Sequence, residues 1–136
     1  MMKNALVILA GGKGKRFGQK IPKQFLKIGN TNFLNYIISN LDLSNFDIIN
    51  ISIDKKYQNT YFNHNAVSKK IKITYSKPGL TRQISSYNAL KNLKKFKIKN
   101  VLIHDAARPL CSNKLIKKII SKLGKNTNAI PYVEYN

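Results

Sequence analysis

The chain opens with six consecutive apolar residues, Ala5 to Ala10, that stop at the glycine pair Gly11-Gly12. An unbroken apolar run of this length, closed by glycine, is the pattern of a strand buried on both faces. Short β-branched runs follow at Asp47 to Ile53, Ile71 to Tyr75 and Val101 to Ile103, and Asn128 to Val133 reads as a fifth strand of the same kind. Between these runs the apolar spacing changes to three and four. Phe33, Ile37, Ile38 and Leu41 share one helical face after Thr31, the expected N-cap, and Ile84, Tyr87, Leu90 and Leu93 do so after Thr81. Leu115, Ile116, Ile119, Ile120 and Leu123 form an apolar stripe between the cap Ser112 and the stop Gly124. Residues 55–66 are polar and aromatic and predict a weaker helix.

Strands that alternate with helices predict an α/β fold, namely a three-layer, Rossmann-like, mostly parallel sheet with helices on both faces. Ligands of such sheets gather at the carboxyl ends of the strands. The 136 residues correspond to one domain. Because the pattern stops on a strand with no helix after it, residues 1–136 are expected to be a single domain lacking its C-terminal part.

Composition narrows the picture further. No apolar run approaches the roughly 20 residues of a membrane span, and the six-residue run near the N-terminus is too short for a signal peptide, so no membrane role and a cytoplasmic location are expected. Cys111 is alone, which excludes a disulfide framework and a multi-cysteine zinc site; it is read as a small buried apolar residue. The net charge of +20 first suggests a polyanion partner. Yet of the 25 basic residues only Arg16, Arg82 and Arg108 are arginine, the better reader of phosphates and bases, and the lysines are spread through every segment. A basic nucleic-acid-binding module is therefore the weaker alternative, and no specific nucleic acid is expected.

In a lysine-rich chain the scarce residues carry the information. The three arginines fall in GGKGKRFGQKIPKQ, KPGLTRQISS and HDAARP, which together hold five of the seven glycines and three of the four prolines. Each segment begins at or near the carboxyl end of a predicted strand. In the first, Gly11, Gly12 and Gly14 would let backbone amides approach a phosphate, with Lys15, Arg16 or Lys23 as charge. The spacing fits neither common phosphate loop. Counted from Gly12, the sixth place of a dinucleotide fingerprint is Phe17, and neither Gly12-Lys13 nor Gly14-Lys15 is followed by the Ser or Thr of a Walker loop. A plain basic turn is the bland alternative. For Asp105, one of five acids in the chain, the bland alternatives are a helix cap or a partner for Arg108. His104 and His64 are read as scaffold.

The strand followed by AGGxGxR and PKQFLxIG resembles the signature of the sugar and polyol phosphate nucleotidyltransferases. PKQ is the form found in the 2-C-methyl-D-erythritol 4-phosphate cytidylyltransferase family and in its relative, ribitol-5-phosphate cytidylyltransferase. Gly79-x-x-Arg82-x-x-Ser85 and the string Val101 to Pro109 are similar to the remaining motifs of the family, in the same order. One departure is Ile84, which stands where many relatives have an acid.

The resemblance implies a fold of the nucleotide-diphospho-sugar transferase type and a transfer of CMP from CTP to a polyol phosphate. The preferred acceptor is 2-C-methyl-D-erythritol 4-phosphate, in isoprenoid precursor synthesis, with ribitol 5-phosphate as the alternative. It implies that Arg16 and Lys23 stabilise the transition state and that Asp105 holds Mg²⁺ against the triphosphate. Main-chain groups of Ala10 and Gly79 with the Ser85 hydroxyl would read cytosine, Arg82 would brace the loop, and Gly11, Gly12, Gly14 and Ala106 would complete the nucleotide site. A homodimer is implied for the full-length form.

Overall fold

The computed structural model describes residues 3–13, 18, 20–67 and 70–134. Its elements run β1 (Asn4–Leu9), β2 (Lys27–Ile28), β3 (Thr31–Asn32), α1 (Phe33–Asn40), β4 (Ile48–Ser52), α2 (Lys55–Tyr61), β5 (Lys72–Ser76), α3 (Arg82–Leu93), β6 (Asn100–Asp105) and α4 (Asn113–Ser121). β1, β4, β5 and β6 form a parallel sheet in the order β5-β4-β1-β6. β1 lies between two neighbours, and Ala5, Leu6, Val7 and Ile8 have no exposed surface, as an apolar run buried on both faces requires.

The alternation of side chains along each strand divides the core in two. Leu6, Ile8, Ile49 and Ile51 face the cluster that also holds Leu34, Ile37 and Ile38 of α1 and Ile116 of α4. Ala5, Val7 and Ile48 face Ala89 and Leu93 of α3. Helices therefore cover both faces of the sheet, and the three-layer arrangement is the expected one. β2 and β3 form a small antiparallel hairpin apart from the main sheet.

Four expectations are corrected. Asn128 to Val133 is not a strand: it makes no ladder, and Ile130, Tyr132 and Val133 are more than three-quarters exposed. Apolar residues supply a strand's side chains, but without a neighbouring strand its N–H and C=O groups have no ladder to join, and Pro131 has no N–H to offer one. The cap of α1 is Asn32, whose Oδ1 accepts from the Asn35 N–H at 2.9 Å, while Thr31 is held in the hairpin opposite Ile28. The 55–66 helix ends at Tyr61 and gives way to a 3₁₀ turn at His64–Ala66. In α3 the apolar stripe points the wrong way: Ile84, Tyr87 and Leu90 are exposed, and the buried face is Ser85, Ala89 and Leu93. The caps Thr81 and Ser112 are as expected, accepting from the N–H groups of Ile84 at 3.2 Å and Leu115 at 3.1 Å. Cys111 is half-buried beside the first cluster, and burial raises its thiol pKa. Among the described residues no helix is long and apolar enough to cross a membrane.

Candidate active site

The chain leaves β1 on one side toward β4 and on the other receives β6, so the carboxyl ends of β1 and β6 border a topological switch point, where open α/β sheets form a crevice. A cleft of about 770 Å³ occupies that place. Its walls come from all three arginine-bearing segments: Gly11, Gly12 and Lys23 from the first, Gly79, Arg82 and Ser85 from the second, Asp105 and Arg108 from the third. Gly14 and Arg16 lie outside the described residues.

Each wall has a local cause. The glycine loop lies against the segment after β5 so closely that a Cβ on Gly11 would meet the ring of Pro78. Ala10 is fully buried and sits beneath the loop, its N–H donating to the Ser52 carbonyl at 2.8 Å. Among the described residues the N–H groups of Gly11, Gly12 and Lys13 make no hydrogen bond. Pro22 then starts a 3₁₀ turn, Lys23–Phe25, whose three side chains diverge. Lys23 lines the cleft, Gln24 is buried under the glycine loop, and Phe25 stacks on Tyr61 of α2 with ring centroids 4.7 Å apart.

The second wall is the start of α3. Thr81 caps it, and the Gly79 N–H donates to the Ser85 hydroxyl at 3.0 Å, which donates to the Thr81 carbonyl at 3.1 Å. Gly79 is required by contact: a Cβ there would fall on the Ile84 side chain. The N-terminus of a helix adds partial positive charge beside the cleft.

At the third wall Asp105 ends β6. The Arg82 Nε donates to its Oδ1 at 3.0 Å, and the Arg108 Nε lies 3.6 Å from Oδ2. Both the cleft-lining role and the pairing with Arg108 are thus met by one carboxylate. Arg82 therefore braces Asp105. Ala106 is fully buried, its N–H donating to the Leu9 carbonyl at 2.9 Å, so it lies under the cleft while Ala107 lines it. His104 points to the opposite face and its Nε2 is 2.9 Å from the Arg108 carbonyl. A carbonyl only accepts, so this nitrogen carries a proton, and burial lowers the pKa of the ring.

Among the described residues no three His, Cys, Asp or Glu side chains gather as a metal site. Asp105 is a hard oxygen donor standing alone, which suits a cation that takes one or two carboxylates and fills its other positions with phosphate oxygens and water. The arrangement of free backbone N–H groups, cations and one carboxylate can hold a polyphosphate.

Gln24 is the residue that sequence reasoning missed. The PKQ string gives it no role of its own, although a glutamine between a proline turn and an apolar anchor is an unusual residue to bury.

A family model described as IspD, 2-C-methyl-D-erythritol 4-phosphate cytidylyltransferase, matches residues 4–134. The chain is 38% identical over 134 residues to the bifunctional enzyme IspD/IspF of Pelagibacter ubique, covering 98% of this chain and 35% of that protein. It is 36% identical over 120 residues to the 2-C-methyl-D-erythritol 4-phosphate cytidylyltransferase of Thermotoga neapolitana, covering 88% of this chain and 53% of that one. Among solved structures, the 4-diphosphocytidyl-2C-methyl-D-erythritol synthase of Anaerococcus prevotii superposes with a TM-score of 0.64 at 22% identity, over 87% of this chain and 49% of the other, and supports the fold. The chain spans about half the length, or less, of these proteins. By the match over 4–134 and these identities, the chain belongs to the 2-C-methyl-D-erythritol 4-phosphate cytidylyltransferase family.

Proposed function

We propose that this chain provides the nucleotide-binding part of an enzyme that moves CMP from CTP to 2-C-methyl-D-erythritol 4-phosphate. The observation that carries the reading is the convergence of all three arginine-bearing segments on one cleft at the switch point of the sheet. A phosphate oxygen of the acceptor attacks the α-phosphorus of CTP, and the bond to pyrophosphate breaks as that anion leaves. Charge grows on the non-bridging and leaving oxygens, so catalysis rests on position and fixed cations.

Lys23 supplies a compact ammonium from a turn anchored on both sides by Gln24 and Phe25, which limits its drift. Arg16, outside the described residues, is assigned the second catalytic cation on the family resemblance. The unpaired amides of Gly11, Gly12 and Lys13 cradle the phosphates. Gly79 and Ser85, tied to each other, form the wall against which cytosine is read, and Ala10, its N–H and carbonyl taken by Ser52 and Gln24, supports the loop from beneath. Asp105 would hold Mg²⁺, with Arg82 and Arg108 fixing its carboxylate. Bound there, the cation would neutralise triphosphate charge. A cytoplasmic location, a polyol phosphate acceptor site and a homodimer belong to the same proposal for the whole protein.

Calorimetry on this chain with CTP, ATP, GTP and UTP in Mg²⁺ tests the nucleotide half of the reading; equal affinity for all four removes the cytidine assignment. Pyrophosphate release by the longest natural polypeptide carrying this sequence tests the acceptor, with 2-C-methyl-D-erythritol 4-phosphate and ribitol 5-phosphate in parallel. Faster turnover with ribitol 5-phosphate overturns the acceptor assignment.

A further inference from the structure

Gln24 is 3% exposed, although a buried carboxamide must satisfy two donors and an acceptor. Its Nε2 donates to the Ala10 carbonyl at 3.0 Å and to the Gly12 carbonyl at 2.7 Å. Both hydrogens of one side chain are therefore spent on two carbonyls of one loop, two residues apart.

The consequence follows from the peptide plane. In a trans peptide the C=O of one residue and the N–H of the next lie in one plane and point in opposite directions, and no peptide bond among the described residues is cis. Drawing the Ala10 carbonyl toward Gln24 turns the Gly11 N–H away from it; drawing the Gly12 carbonyl turns the Lys13 N–H away likewise. Those two amides are among the three that make no hydrogen bond among the described residues. The side chain also withdraws two carbonyl oxygens that would repel an anion.

We propose that Gln24 is a positioning residue: by holding the Ala10 and Gly12 carbonyls it aims the Gly11 and Lys13 amides at the phosphates of the nucleotide. This rests on the reading of the cleft as a nucleotide site, and deepens it. The second, shorter bond, to the Gly12 carbonyl, reaches a loop on the cleft wall.

The test uses inorganic tripolyphosphate alongside CTP, so that phosphate capture is read separately from base recognition. The variants are Gln24→Met, which keeps length and loses both donors, and Gln24→Glu, which keeps shape and puts an oxygen where Nε2 stood. Asn4→Ala, at the far end of β1, serves as a control for stability alone. Both Gln24 variants are expected to weaken tripolyphosphate and CTP by the same factor, roughly 10- to 100-fold, with Glu the worse. The Gly11 and Lys13 amide resonances of the ligand-free protein should shift, while Asn4→Ala leaves affinity and both resonances as they were.

If Gln24→Met fails to fold, Gln24→Glu, closer in shape, carries the same readings. Unchanged tripolyphosphate affinity in a folded Gln24 variant overturns the proposal, as does failure of the unaltered protein to bind tripolyphosphate. Binding of tripolyphosphate that depends on Gln24, with no preference for CTP over other nucleotides, supports the loop device and removes the cytidine reading.

Discussion

The two ends of β1 are finished in opposite ways. At the amino end the N–H groups of Lys3 and Asn4 are taken up within the protein: Asp47 accepts from them at 2.7 Å and 3.0 Å, and the Asn4 side chain bonds both the Asn45 carbonyl and Asn100. At the carboxyl end the carbonyls of Ala10 and Gly12 are taken up, but the amides beside them are left open among the described residues. Three loops meet there with an Asp105 flanked by two arginines. One end is closed for stability, and the other is kept incomplete in donors, so that an anion can complete it. Changes at the amino end should cost stability and spare binding; changes at the carboxyl end should cost binding, and stability too where they force the cleft walls apart.

The largest effect expected is on turnover. In the whole protein, Lys23→Ala and Arg16→Ala should each lower kcat about a hundredfold to a thousandfold, roughly 3 to 4 kcal/mol of transition-state stabilisation, with a smaller change in CTP affinity. Pyrophosphate release measured with a CTP Kd for each variant checks this, and Lys20→Ala, an exposed neighbour, should change little. If KM rises while kcat holds, these cations serve binding alone.

Next come the close approaches. Gly11→Ala would drive a methyl group into Pro78, and Gly79→Ala into Ile84, so each should destabilise by about 1–3 kcal/mol and weaken CTP binding together. Chemical denaturation and calorimetry on the same samples read both. A stable Gly79→Ala protein with native affinity would show that this wall can shift without consequence.

At the opposite end, Asn4→Ala should cost about 1 kcal/mol by removing two part-buried hydrogen bonds, and leave CTP affinity untouched. The smallest effect concerns pH. The backbone N–H groups of Asn4 and Lys3 hold the Asp47 carboxyl below its ordinary value of 3.8. A depressed carboxylate pKa contributes stability above the unfolded value, and that contribution is lost as the pH falls through it. The melting temperature should therefore drop on acidification below about pH 4, and Asp47→Asn should flatten that part of the curve while leaving nucleotide binding at neutral pH unchanged.

The sheet was legible in the sequence because its strands are short apolar, β-branched runs set off by polar and glycine-bearing segments: β1, β4, β5 and β6 lie within a residue or two of the runs that announce them. Thr81 and Ser112 were legible as caps because a hydroxyl one residue ahead of a helix has few other local uses. Periodicity says that a helix has two faces but not which face meets the sheet. In α3 the sheet takes the small side, where Ser85 and Ala89 allow close approach over Asn50, itself buried and bonded to Thr74 and Asn92. The stripe Ile84, Tyr87 and Leu90 is left outside. Asn128 to Val133 misled for a related reason, since a strand is defined by its partner. Of the site, the glycines, Arg82 and Asp105 could be picked out because they are rare in a chain of lysine, asparagine and isoleucine, and Lys23 because it stands in the PKQ string that carries the family resemblance. Gln24 could not, since its role depends on a contact with a loop 12 to 14 positions away.

The bond between Asn4 and Asn100 joins positions 96 residues apart. β1 therefore cannot gain its second neighbour until β6 has been made, and at about 5–20 residues per second a ribosome needs roughly 5 to 20 s to supply it. For that interval the most apolar strand of the molecule has one open edge, at which other nascent chains can pair. Loop closure over so many residues is also the slowest contact to form, so the cleft, whose third wall is the end of β6, is assembled last.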